Sequence, residues 1–144
     1  MVVPLALVAA APPGEAEPAV VVHDESGAEL ARVVLPPSGR FALAYRHSYY
    51  DAPARELFST EHGGLRLRAL ASPRAAVLDY YALAGRRTRS GTWLALVPSR
   101  ARRYDQLPLI ATELGRRTLL VGERRIPLYG HDARHLTIGV EGSS

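Results

Sequence analysis

The chain has 144 residues, no cysteine, 47% hydrophobic and 22% charged residues, and a formal net charge of +4. That length and balance exclude a disordered chain and two ordinary domains, and predict a single domain with its own core. The lack of cysteine excludes a disulfide framework, a thiolate nucleophile and a sulfur-bound zinc site.

Residues 1–18, MVVPLALVAAAPPGEAEP, form an apolar and then Pro-rich leader. Its apolar run, Val2 to Ala11, is shorter than the about 20 residues that cross a bilayer. It is similar to the h-region of a secretory signal without a basic n-region, and reads as a signal or anchor remnant. A single β domain is expected over 19–144. From there the chain runs in short apolar stretches broken by turn residues every eight to twelve positions, the pattern of an antiparallel all-β protein. AVVVHD and ELARVVL flank ESGA, a first hairpin.

In FALAYRHS, Phe41, Leu43, Tyr45 and His47 alternate with Ala42, Ala44, Arg46 and Ser48, so His47 shares the apolar face while Ser48 points the other way. Matching Tyr45 with Phe58 across the loop Tyr50 to Pro53 keeps Phe58 on that face and sets His47 opposite Glu56. The expectation is a His47–Glu56 clamp at the end of the hairpin. A serine hydrolase needs its histidine bonded to the serine oxygen, and strand parity separates His47 from Ser48. Nor does the chain hold a Gly-x-Ser-x-Gly elbow. His47 and Glu56 supply two of the ligands a metal needs, with His62, His131 or Asp132 as remote third candidates, and multi-histidine spacing signatures are absent. No cofactor and no metal are expected.

STEHGGLRLRAL predicts a tight hairpin with Gly63 and Gly64 both at positive φ. Its register would set Glu61 opposite Arg66 as an ion pair and put Phe58, Leu65 and Leu67 on one face. SPRAAVLDYYALAG predicts a short helix near 73–84, with Ser72 as N-cap, Pro73 at the first helical position and Gly85 as the stop. TLLVGERRIPL predicts another hairpin around Gly122 and Glu123, and Pro127 marks an edge strand. His131 and His135 have helical spacing, but their surroundings read as a loop entering a strand.

All 18 basic residues are arginine, which points first to compositional bias. Arg86, Arg87 and Arg89 precede the apolar run Trp93 to Val97, and Arg100, Arg102 and Arg103 follow it; if the run is a strand, about 20 Å separates the clusters. They would then cap opposite ends of one strand instead of forming a stripe. No RNA-binding aromatic signature accompanies them, and no nucleic-acid partner is expected.

The segment FALAYRHSYYDAPARELF resembles the bacterial domain-of-unknown-function family eighteen-fifty, whose pattern is an apolar strand, His-Ser, a short gap with proline, and Glu followed by an aromatic. His47, Ser48, Pro53 and Glu56 fit position by position. HGGLRLRALASP and LPLIATELGRRTLLVGERRIPLYG are similar too, so the resemblance covers about residues 40 to 141. Tyr49 and Tyr50 stand where relatives often have valine and glutamate, and RAAVLDYY replaces a Gly-rich segment. The resemblance implies a context beside TAXI-type tripartite (TRAP) solute transporters and an N-terminal export or anchor segment; it carries no established activity.

The expected fold is thus an all-β antiparallel sandwich, or a partly closed barrel of short hairpins, with one short helix. The expected function is an extracytoplasmic or membrane-associated accessory or binding domain connected with TRAP-type solute transport, non-enzymatic, with a transporter component or small solute as partner. His47, Ser48 and Glu56 form its structural or binding cluster. The alternatives are a hydrolase or metal-dependent enzyme using His47 and Glu56, and a membrane-surface module using the arginines.

Overall fold

A computed structural model describes residues 17–130, 132 and 134–142. Residues 1–16 of the leader and His131 lie outside the described residues. The fold is an all-β sandwich of two open antiparallel sheets with one short helix, so the barrel alternative is not adopted. The small sheet contains β1 (Ala19–Asp24), β2 (Glu29–Val34), β9 (Leu107–Ile110) and β12 (His135–Glu141), in the order β2-β1-β12-β9.

The large sheet contains β3 (Arg40–His47), β4 (Ala52–Glu61), β5 (Gly64–Ser72), β6 (Gly85–Ser90), β7 (Trp93–Pro98), β8 (Arg102–Tyr104), β10 (Thr118–Val121) and β11 (Arg124–Pro127). Its order is β11-β10-β3-β4-β5-β7-β6, with β8 also paired to β5. Helix α1, Ala75–Tyr80, crosses one end.

The core follows from the period-2 patterning. Phe41, Leu43, Phe58, Leu65, Leu67, Leu70, Leu96 and Leu119 of the large sheet meet Val20, Val22, Val33, Leu109, Leu136 and Ile138 of the small one. Phe41 and Phe58 stack with centroids 5.4 Å apart, a geometry that adds to the area they bury. Pro127 lies on β11, an edge strand as its missing N–H requires. Positive φ at Gly122 (57°), and not at Glu123, fits the type II′ turn.

Two registers differ from expectation by an even number of residues. Phe58 faces Phe41, not Tyr45, and His47 faces Ala52. The connection is therefore Ser48 to Asp51, with Asp51 taking the positive φ (48°) that aspartate tolerates. In the β4–β5 hairpin the turn residues are His62 and Gly63, at φ 49° and 76°, instead of Gly63 and Gly64. Thr60 there faces Leu65 and Phe58 faces Leu67, with a bulge between Leu57 and Phe58. Even slips keep Phe58, Leu65 and Leu67 on their expected face, whereas beyond the bulge the parity changes, so that Leu70 joins the core and Ala69 lies opposite Leu57. The Glu61–Arg66 pair also forms, at 3.6 Å, on the diagonal instead of directly across.

Residues 85–90 themselves form a strand, which folds back on β7 through Gly91, so Arg86 faces Val97 and Arg89 faces Leu94. The two arginine clusters accordingly do not cap opposite ends of one strand. The helix is shorter than predicted, and Arg74 occupies its N-cap. Ser72, fully buried, instead donates its hydroxyl to the Pro53 carbonyl (2.7 Å) and accepts the Arg74 N–H (3.2 Å).

Phe58→Ala should lower unfolding free energy by about 3 to 5 kcal/mol. Leu114→Ala, at a side chain 78% exposed, should change it by no more than about 0.5 kcal/mol. Urea titrations of the two variants beside the parent check the contrast.

Candidate functional site

The inner face of the large sheet runs on past the main core. At that end Ala52, Ala54 and Val77 form a second cluster against which Tyr45, Tyr50 and Tyr81 pack. Helix α1 is held over it by three ties. Ser72 anchors the segment entering the helix to β4. Arg74 donates to the Tyr50 carbonyl at 3.0 Å and stacks over the Tyr50 ring. Asp79 forms an ion pair with Arg87 on β6.

His47 is enclosed in this corner, 8% exposed. The edge of the Tyr80 ring packs on it at 4.7 Å and Tyr50 tilts against it at 5.3 Å. Its Nδ1 accepts the Tyr50 backbone N–H at 3.4 Å, a long bond whose donor must lie within the turn that follows the strand. Glu56, opposite Leu43, sits four residues along β3 from the position opposite His47. The expected clamp is therefore corrected: no His47–Glu56 hydrogen bond or ion pair forms among the described residues, and Tyr50 takes the place of Glu56 as the partner of His47. Ser48 is exposed in the turn. It makes no hydrogen bond with His47 among the described residues.

Glu56 finds a different partner. The Tyr81 hydroxyl donates to its Oε1 at 3.1 Å. Burial raises the Glu56 carboxyl above its ordinary value of 4.5, and the field of Arg117 opposes the rise. Burial also pushes the Tyr81 phenol up from 10.0 to about 12, again against Arg117. The mechanism is the same for both groups: a partly desolvated site disfavours the anion, and a nearby cation restores some of the loss. The Arg117 guanidinium lies over the Tyr45 ring, 4.8 Å from its centroid, and makes no side-chain hydrogen bond or ion pair among the described residues, while its carbonyl accepts the Leu128 N–H at 2.8 Å.

His47, Ser48 and Glu56, although not bonded to one another, all line a recess of about 380 Å³ together with Tyr80, Tyr81 and Arg117. Glu56, Tyr81 and Arg117 also line a second cavity of about 270 Å³ that extends between the sheets to Phe58, Leu70 and Tyr104. Arg117 escapes notice in the sequence because it is brought in by an element remote from the β3–β4 hairpin. The one local cue is Arg117 itself, the residue directly preceding the apolar run Thr118 to Val121.

No family model, curated protein or solved structure matches the chain. Among the described residues no group of three or more histidine, aspartate or glutamate side chains is placed to hold a metal ion, and no helix is long and apolar enough to cross a membrane.

A carboxyl group whose folded-state pKa is raised binds its proton more tightly in the native than in the unfolded state. Its contribution to stability is then fully present below 4.5 and is lost as pH rises through the folded value. Glu56→Gln, which keeps an acceptor for Tyr81, should therefore gain stability relative to the parent as pH goes from about 4 to about 7. For Tyr81 the loss falls between 10.0 and about 12, and Tyr81→Phe should flatten it. Denaturation curves recorded across both windows test the signs.

Proposed function

We propose that the chain is a non-enzymatic, extracytoplasmic accessory domain of solute transport that binds a small organic acid in the Glu56–Tyr81–Arg117 recess. The observation that carries the binding role is Arg117, a half-buried guanidinium stacked on Tyr45 whose hydrogen-bond donors have no protein acceptor among the described residues, and which lines both cavities. A planar fork of donors beside aromatic walls fits a carboxylate bidentately.

Glu56 lines the same recess and is oriented by the Tyr81 hydroxyl; burial raises its carboxyl above the ordinary value against the field of Arg117, which lessens its repulsion of an incoming carboxylate. The Tyr45 hydroxyl, buried without a partner among the described residues, is a further polar atom at the same end of the sheet. A non-enzymatic role is favoured by the separation of Ser48, exposed in the turn, from His47, whose Nδ1 already holds a backbone N–H. The transport context rests on the resemblance over residues 40 to 141 to the family found beside TAXI-type TRAP transporters.

Calorimetric titration with mono- and dicarboxylates and with amino acids tests this reading. The expected result is saturable binding of at least one organic acid that Arg117→Gln weakens by about tenfold or more, the loss of one charge-assisted pair, with the fold retained. Equal affinity in parent and variant, or no heat with any acid, would overturn it.

A further inference from the structure

The outer face of the large sheet carries a further concavity, of about 750 Å³, which shares Tyr45, Arg46 and Ser48 with the recess of the inner face and otherwise has its own lining. Its floor is built of small side chains, because Ala44 on β3 lies between Arg55 on β4 and Thr118 on β10 in one cross-strand row. Four arginines, Arg46, Arg55, Arg116 and Arg125, rise around that floor. Arg46 is neutralised by Asp51 at 2.6 Å. Arg55, Arg116 and Arg125 form no ion pair among the described residues, and the Arg55 guanidinium is held over the Trp93 indole at 5.0 Å. The remaining carboxylate of the lining, Glu113, accepts the Gly130 N–H at 3.0 Å.

Along the same strands the character of the face changes. Two residues on, roughly 7 Å away, Ala44 gives way to Ala42, Arg55 to Leu57 and Thr118 to Leu120. Ala42, Leu57 and Leu120, with Ala69, line an apolar groove of about 350 Å³ that lies next to the arginine trough along β3, β4 and β10. Arg40 and Arg68 border its far end, where Arg68 is already bonded to Ser59 at 2.6 Å. Leu57, 36% exposed, is one of the few large apolar side chains the sheet leaves open to solvent.

A cationic trough running into an apolar groove is complementary to a ligand with the same division. We propose that this face binds a phosphate-bearing amphiphile, with the phosphate among Arg55, Arg116 and Arg125 and the apolar portion along Ala42, Leu57 and Leu120. Phosphate suits the trough better than a single carboxylate, because its oxygens can accept from several guanidiniums at once. Arg125 lies three strands from Arg55 and level with Leu57, two residues along, so about 16 Å separates their backbones; with Arg55 held over Trp93, a headgroup between them is reached chiefly by Arg116 and Arg125.

Trp93 is the only tryptophan of the chain and sits in the trough, so its fluorescence reports occupancy. The probes are monomeric short-chain phosphatidylglycerol below its micelle concentration, inorganic phosphate, and phosphatidylcholine vesicles with and without phosphatidylglycerol. Monomeric phosphatidylglycerol should bind at least about tenfold more tightly than inorganic phosphate, and Arg55→Gln combined with Arg125→Gln should weaken it at least about tenfold with Tm unchanged. Leu57→Ser should weaken the lipid and leave phosphate unaffected. Binding of monomer and anionic vesicles points to a bilayer source, and of monomer alone to a free amphiphile; either supports the proposal. Three results would overturn it: no binding of the monomer, binding of vesicles only, which is diffuse surface attraction, or equal affinity in the parent and the arginine variant.

Discussion

The stacked pair Phe41 and Phe58 is the contact on which the placement of every polar group depends. It fixes β3 against β4 at the centre of the large sheet, and those strands carry the main core inward and the arginine trough outward. Once the two rings are opposed, the positions of Leu43 against Glu56, Tyr45 against Ala54 and His47 against Ala52 follow without further choice. Buried ring area of this kind outweighs what a His–Glu pair at the hairpin end would contribute, since a partly exposed ion pair is worth about 1 kcal/mol or less.

The unequal size of the two sheets then creates the candidate site. Four strands cover only part of an inner face built from a larger sheet, so the stretch holding Tyr45, His47, Ala52 and Ala54 needs another cover. Helix α1 supplies it with Val77, Tyr80 and Tyr81. A six-residue helix cannot sustain itself by propagation. Its position therefore comes from Ser72, Arg74 and Asp79, each bonded outside the helix. What it leaves unfilled is the recess in which Glu56, Tyr81 and Arg117 meet.

Much of this was legible in the sequence, and the rest was hidden for identifiable reasons. Alternation along Phe41 to His47 disclosed which side chains face inward, and parity alone separated Ser48 from His47. Register was not legible, because a slip of two or four residues preserves every face. The choice between Tyr45 and Phe41 as partner of Phe58 depends on whether Asp51 accepts a positive φ, and the β4–β5 register depends on a bulge between Leu57 and Phe58 that no local composition announces. The helix suggested itself, but it ends at Tyr80, Gly85 opens β6 instead of stopping the helix, and the Ser72 hydroxyl is shared between the Pro53 carbonyl on β4 and the Arg74 N–H. Arg117 was invisible as a site residue because its neighbours Tyr45, Glu56 and Tyr81 come from three other elements.

The two faces of β3 and β4 solve opposite electrostatic problems with the same alternation. Inward, a single carboxyl group is held in a desolvated corner, where burial suppresses its charge and one unpaired guanidinium compensates in part. Outward, the guanidiniums remain near water, where charge costs little, and small residues beneath them make the surface concave instead of flat. The compositional bias toward arginine explains why so many cations are present. It does not explain why Ala44 and Thr118 leave room between them, nor why Trp93 holds one guanidinium in a fixed orientation. Those features come from the register, in which Ala44 lies between Arg55 and Thr118. The same pairing of Phe41 with Phe58 that denies His47 its expected partner is therefore what gathers the arginines around a common floor.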